Sequence, residues 1–146
     1  MSRAYLDTNV LVRFLTGEPP GMAQRALDLF SRAERGDIVL ILDEIVIAET
    51  VWVLTSHYKH RPQDITRALN ELLIRELFHV RERDIMVEAL SLFASHSVDF
   101  ADALIAARMR RDGVGSVFSF DTHFDRLPGV TRLEPGALSD LCHETS

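Results

Sequence analysis

The chain has 146 residues, with 47% hydrophobic and 26% charged residues and a formal charge of −6. A globular domain of this length buries about two thirds of its unfolded surface, so this composition excludes a disordered chain or a fibrous repeat. Cys142 is the single cysteine, which excludes an internal disulfide and a cysteine-based zinc site. No apolar run approaches the roughly 18 residues of a membrane span, and Asp7 interrupts the only candidate for a signal-peptide core. The expectation is a single cytoplasmic domain over residues 1–146.

The charge balance comes from 16 basic and 22 acidic residues. Taken alone, it argues against a dedicated nucleic-acid binder. Lys59 is the only lysine, however, so 15 of the 16 basic residues are arginine, the side chain suited to bidentate contact with phosphate or carboxylate. If several carboxylates converge on a bound cation, the remaining surface is close to neutral. Nucleic acid thus stays open as a substrate.

In chain order, residues 3–7 read as a short strand ending in a carboxylate, and 9–15 as a helix with Val10, Leu11 and Phe14 on one side. Glu18-Pro19-Pro20-Gly21 is a break. Residues 22–35 resume helical spacing through Ala26, Leu29, Phe30 and Ala33. Residues 38–42 form a run without alternation, as in a parallel strand covered on both faces. Asp43 is a candidate N-cap for a helix over 44–57 that carries Ile45, Ala48, Val51, Trp52 and Leu54. Pro62 suits the first turn of the next helix, 63–75. A strand over 77–80 and a helix over 84–95 follow, the helix with Ile85, Ala89, Leu92 and Phe93 on one face. The helix 100–111 is alanine-rich and calls for close packing of Ala101, Leu104, Ile105, Ala106 and Ala107. Strands over 116–120 and 130–133 complete the chain. This alternation implies an α/β sandwich around a mostly parallel sheet, in which ligands bind beyond the carboxyl ends of the strands.

Four carboxylates stand out at such positions. Asp7 and Asp121 each follow a strand. Glu49 and Asp102 lie inside apolar helices, and neither has a basic residue three or four positions away. Carboxylates are rarely buried unless paired or bound to a cation. Each has an ordinary reading: Asp7 as an N-cap, Glu49 as an exposed helix residue, Asp102 as the cap of a helix starting at 103, and Asp121 as a turn residue. Together they suggest one acidic pocket. Clustered carboxylates repel, and a hard divalent cation relieves that repulsion. Oxygen ligands suit Mg2+ or Mn2+ rather than zinc. The chemistry implied is metal-assisted phosphodiester hydrolysis.

The blocks Asp7-Thr8-Asn9-Val10-Leu11-Val12, Ala48-Glu49 before Val53-Leu54, Asp102-Ala103-Leu104-Ile105-Ala106-Ala107 and Ser119-Phe120-Asp121-Thr122-His123-Phe124 resemble the PIN-domain ribonucleases. Among these they look most like the VapC toxins of toxin–antitoxin pairs. The resemblance runs over nearly the whole chain, and it implies a three-layer PIN sandwich with a central, mostly parallel sheet flanked by helices. It also implies that Asp7, Glu49, Asp102 and Asp121 form the acidic quartet, with Asp7, Asp102 and Asp121 holding Mg2+ or Mn2+ and Glu49 orienting water. The activity so implied is endonucleolytic RNA cleavage that leaves 5′-phosphate and 3′-hydroxyl ends. The usual arrangement would be a homodimer inhibited by a VapB-like antitoxin, whose arginine suits an acidic cleft.

Asn9 and Ser119 match positions that support the ligands. Asp99 reads as an N-cap, or as sharing a helix face with Asp102 three residues on. Asp125 is a further acid, read as either near the cation or exposed. Arg13, Arg108, Arg110, Arg111 and Arg126 are the candidates for RNA contact. The six histidines form no ligand set: His57 and His60 suit a helix C-terminus, and His123, two residues after Asp121, reads as a surface turn or as approaching the site. Trp52 reads as core. Two other functions compete. One is a catalytically weak PIN-fold module that binds RNA or a partner. The other is an aspartyl-phosphate phosphotransferase, disfavoured because Lys59 lies away from the acidic positions.

Overall fold

The computed structural model describes residues 2–136; Cys142 lies outside them. Two compact units divide the chain, Met1–Val87 and Glu88–Ser146. The first contains β1 (Ser2–Tyr5), α1 (Thr8–Thr16), α2 (Pro20–Glu34), β2 (Ile38–Leu42), α3 (Glu44–Ser56), α4 (Pro62–Ile74) and β3 (Phe78–Val80). Its three strands form a parallel sheet in the order β1-β2-β3, with Ala4 opposite Leu40 and Leu40 opposite Phe78. A parallel pair cannot be joined by a tight turn, and each crossover here carries two helices.

Local chemistry sets the helix ends. Asp43 caps α3, its carboxylate accepting from the Ile45 N–H at 3.0 Å. Proline opens both α2 and α4, where its missing N–H costs nothing. The Pro19-Pro20 break is thus also the start of α2, earlier than the spacing suggests. Gly17 ends α1 at φ 72°, in a left-handed conformation that glycine adopts without strain. Inside the unit, Phe30 of α2 meets Phe14 of α1 and Phe78 of β3 edge to face, at centroid distances of 4.6 and 5.3 Å. These contacts tie both helices of the first crossover to the sheet edge.

Several burial expectations are corrected. In β2 only Leu40 and Leu42 are fully buried, so the strand is half-covered at its other positions. In α1 the buried residues are Thr8, Leu11 and Val12, whereas Val10 and Phe14 are only half-buried. In α3 the core face is Val46, Ile47, Thr50, Val51 and Leu54. Ile45 and Trp52 stand on the opposite side, 62% and 68% exposed. Seven residues are almost two helical turns, so these two share one face, and Trp52 is not core.

The second unit holds most of α5 (Arg83–His96), then α6 (Phe100–Asp112), β4 (Ser116–Phe118), a short 3-10 helix (Thr122–Arg126) and β5 (Thr131–Leu133). β4 and β5 pair in parallel, Ser116 opposite Thr131. In α5 the expected face of Ile85, Ala89, Leu92 and Phe93 is buried. In α6 the alanines do pack closely, but the buried ones are Ala103, Ala106 and Ala107, whereas Ala101 and Ile105 are exposed. β4 stops at Phe118, so Ser119 and Phe120 fall in the connection, and Phe120 is 74% exposed. The chain is an α/β protein with parallel strands, as expected.

Candidate active site

Asp7 occupies the N-cap of α1 with extended backbone angles, φ −90° and ψ 156°, yet its carboxylate makes no capping hydrogen bond. Only its carbonyl joins the helix, accepting from the N–H groups of Val10 and Leu11. Asp43 holds the same position on α3 and does cap. The same residue type thus closes a helix at one strand end and leaves its charge unspent at another. Asp7 is exposed and lines a cavity of about 370 Å3 together with Thr8, Asn9, Arg13, Glu49, His57 and Tyr58. Asp7 and Glu49 are therefore brought together. Thr8 Oγ1 is buried with no hydrogen-bond partner among the described residues. His57, read from the sequence only as a helix-end histidine, and Tyr58, which the sequence did not single out, also line this cavity at the C-terminal end of α3. Their rings meet edge to face at 5.0 Å.

In the second unit, Asp102 lies in the first turn of α6 rather than before it, so the capping alternative falls. Asp99 takes the N-cap position but makes no side-chain cap. Ligand atoms of Asp99, Asp102 and His123 lie within 4.8 Å of one another. His123 thus lies beside two of the acids and is not a plain surface turn. Asp121 is the N-cap of the 3-10 helix and accepts from the His123 N–H at 2.9 Å. The His123 ring nitrogen Nδ1 lies 3.3 Å from Asp121 Oδ1 and makes no hydrogen bond. Ser119 supports the turn: its Oγ accepts from the Asp121 N–H at 2.9 Å.

Burial raises the pKa of Asp102 above 3.8, and the charges of Asp121 and Asp99 push it the same way, with His123 opposing. Asp102 Oδ2 is buried without a donor. A buried carboxylate oxygen with no donor, beside two further acids, is the electrostatic condition that a cation relieves. The residues present therefore fit a divalent ion. The spacing of Asp99, three residues before Asp102, offered this placement beside the N-cap reading, and Asp99 both holds the N-cap position and lies near Asp102. His123 carried no signal beyond lying two residues after Asp121.

The remaining candidates are placed as follows. Asp125 is exposed and pairs with Arg132 at 3.1 Å, so it is not part of the acidic cluster. Arg126 donates to the Ser97 carbonyl at 2.7 Å, Arg111 pairs with Asp112 at 3.3 Å, and Arg110 pairs with Glu88 at 2.7 Å. Arg108 is half-buried on α6. Arg13 and Asn9 line the carboxylate cavity and also a neighbouring cavity of about 410 Å3 that includes Arg25 and Met22. Among the described residues, no helix is long and apolar enough to cross a membrane.

The family described as PIN domain matches residues 4–130. A VapC ribonuclease of Aquifex aeolicus (strain VF5) is 30% identical over 122 residues, which span 84% of this chain and 90% of that protein.

Proposed function

Because the chain belongs to the PIN-domain family, we propose that it is a divalent-cation-dependent endoribonuclease and the toxin of a VapBC-type toxin–antitoxin pair. The observation that carries this reading is the pairing of unspent acids in each unit. Asp7 and Glu49 share a cavity, and Asp102 presents a buried, unpartnered oxygen beside Asp99 and Asp121. The relative named a VapC ribonuclease supports RNA as the substrate.

In this reading Asp7, Glu49, Asp102 and Asp121 serve one hydrolysis. Water attacks the phosphorus, the bond to the 3′ oxygen breaks, and that oxygen leaves with a proton, giving 5′-phosphate and 3′-hydroxyl ends. Asp7, Asp102 and Asp121 would hold Mg2+ or Mn2+, which when bound lowers the pKa of water and stabilises charge on the phosphoryl group. Glu49 orients the water. Ser119 holds the turn that presents Asp121. Arg13, on the cavity wall, faces the phosphate backbone. The protein would act in the cytoplasm as a homodimer, silenced by a VapB-like antitoxin whose guanidinium occupies the acidic site.

The test is cleavage of a structured RNA pool by purified, antitoxin-free protein in Mg2+, in Mn2+ and in EDTA, alongside Asp7→Asn and Asp102→Asn. Discrete cuts that need the cation and vanish in both variants are expected. Asp7→Asn cutting as fast as the unmodified protein would overturn the assignment. Folded protein that binds RNA but never cuts it would point to the binding module instead.

A further inference from the structure

The cavity that holds Asp7 and Glu49 is also lined by residues that the hydrolysis does not use. Two of them stand where α3 ends. There the helix widens: the Val53 carbonyl accepts from the N–H groups of both His57 and Tyr58, at 2.9 and 3.3 Å, and the Leu54 carbonyl accepts from the His60 N–H at 2.9 Å. Lys59 turns the chain in the left-handed conformation, at φ 58°. This main-chain closure brings three rings together. Tyr58 lies 5.0 Å from His57, edge to face, and 6.0 Å from His60. Tyr58, half-buried and braced by two imidazoles, thus offers a fixed π-surface to the cavity. Thr8 lines the same cavity. It is only 8% exposed, and its Oγ1 has no hydrogen-bond partner among the described residues. A buried hydroxyl without a partner costs stability in the free protein, and a ligand that bonds to it removes that cost.

From this arrangement we propose that the cavity seats one unpaired nucleotide of the RNA, its base stacked on Tyr58 and the Thr8 hydroxyl its buried polar partner. The proposal rests on the reading of the chain as a ribonuclease and names the part of the substrate that these residues take. Single-stranded RNA presents unstacked bases, and every base has a π-face that an aromatic side chain accepts. In a paired helix those faces are covered by neighbouring base pairs, so a stacking site selects loops and single strands. The cavity volume of about 370 Å3 lies within the range of roughly 300–1,000 Å3 typical of small-ligand sites. In a chain of charge −6, stacking supplies affinity that needs no further basic side chain. Because main-chain bonds close the turn, the Tyr58 ring can be replaced without dismantling it.

The test is fluorescence and anisotropy of short single-stranded RNAs that carry 2-aminopurine as the probe base. Asp102→Asn is the common background, so that the RNA stays intact, and circular dichroism verifies folding of each variant. Stacking on an aromatic ring quenches the probe. Tyr58→Leu keeps apolar bulk for the fold. It is expected to remove the quench and to weaken binding by about 5–150-fold, the cost of losing one base stack. Tyr58→Phe and Tyr58→Trp should keep both. Thr8→Val is expected to weaken binding while raising the melting temperature of the free protein, since it removes the unpaired hydroxyl; a merely structural threonine would not separate the two. The same RNA held in a duplex should bind far more weakly. Unchanged affinity in Tyr58→Leu, a quench that survives it, or an equal loss in Tyr58→Trp would each overturn the proposal. Cleavage is read separately, without the Asp102→Asn background. RNA that stacks on Tyr58 but is never cut would sink the nuclease reading alone. RNA that Tyr58→Leu binds and cuts as well as the unmodified protein does would sink this inference alone.

Discussion

Asp102 carries a charge that its surroundings oppose. Its pKa is raised, first by burial and then by the charges of Asp121 and Asp99, so the native state holds this proton more tightly than the unfolded chain does. As pH climbs from 3.8 through the raised value, the unfolded chain releases the proton first, and stability falls across that window. In EDTA, Asp102→Asn should therefore melt at a higher temperature than the unmodified protein at pH 7 and show a flatter pH profile, while losing cleavage. Adding Mn2+ should raise the melting temperature of the unmodified protein and leave that of the variant nearly unchanged. Thermal melts in both conditions check this. A variant that melts lower in EDTA would mean that the carboxylate is structural.

Helix starts show the same contrast one level up. Asp43 and Asp7 both occupy N-caps after strands of one sheet, but only Asp43 uses its side chain. Asp43→Ala should cost about 0.5–2 kcal/mol in chemical denaturation, with RNA cleavage retained in the folded fraction. Asp7→Ala should cost markedly less stability and abolish cleavage. The spacing of apolar residues located all of these helices, because a buried stripe must recur every three or four residues. It did not locate their buried faces to the residue. Ile45 and Trp52 match the apolar pattern of α3 as well as Val46 and Val51 do, and only the direction in which the helix meets its neighbours separates them. Ser119 is another such case. As a strand residue it would merely pair, but β4 ends at Phe118, and its hydroxyl instead organises the turn that carries Asp121.

For the whole molecule, the charge balance predicts how RNA is held. Arg111 and Arg126 are engaged by Asp112 and Ser97, leaving Arg13 as the candidate on the carboxylate cavity. Each phosphate neutralised on a single strand contributes about −0.7 to the slope of log affinity against log salt. With so few arginines available, the slope for single-stranded RNA should be no steeper than about −2. Fluorescence anisotropy of labelled RNA with Asp7→Asn, across a salt series at fixed Mn2+, measures it. A slope several units steeper would require a basic surface that these residues do not provide.

The sequence alone determined the α/β class, the order of the elements and the acidic positions, since apolar periodicity, capping residues and carboxylates in apolar surroundings are local signals. The tertiary structure decided which of those acids cap a helix with their side chains and which do not. A carboxylate at a helix start either caps or stays free depending on a side-chain rotation, which no spacing encodes. That is why Asp43 and Asp7 diverge, and why Asp99, at the N-cap of α6, makes no side-chain cap. His123 reaches Asp99 and Asp102 because a short 3-10 helix is tied to Ser97, 29 residues earlier in the chain. A juxtaposition made by a long-range hydrogen bond leaves no trace in the local pattern of either segment.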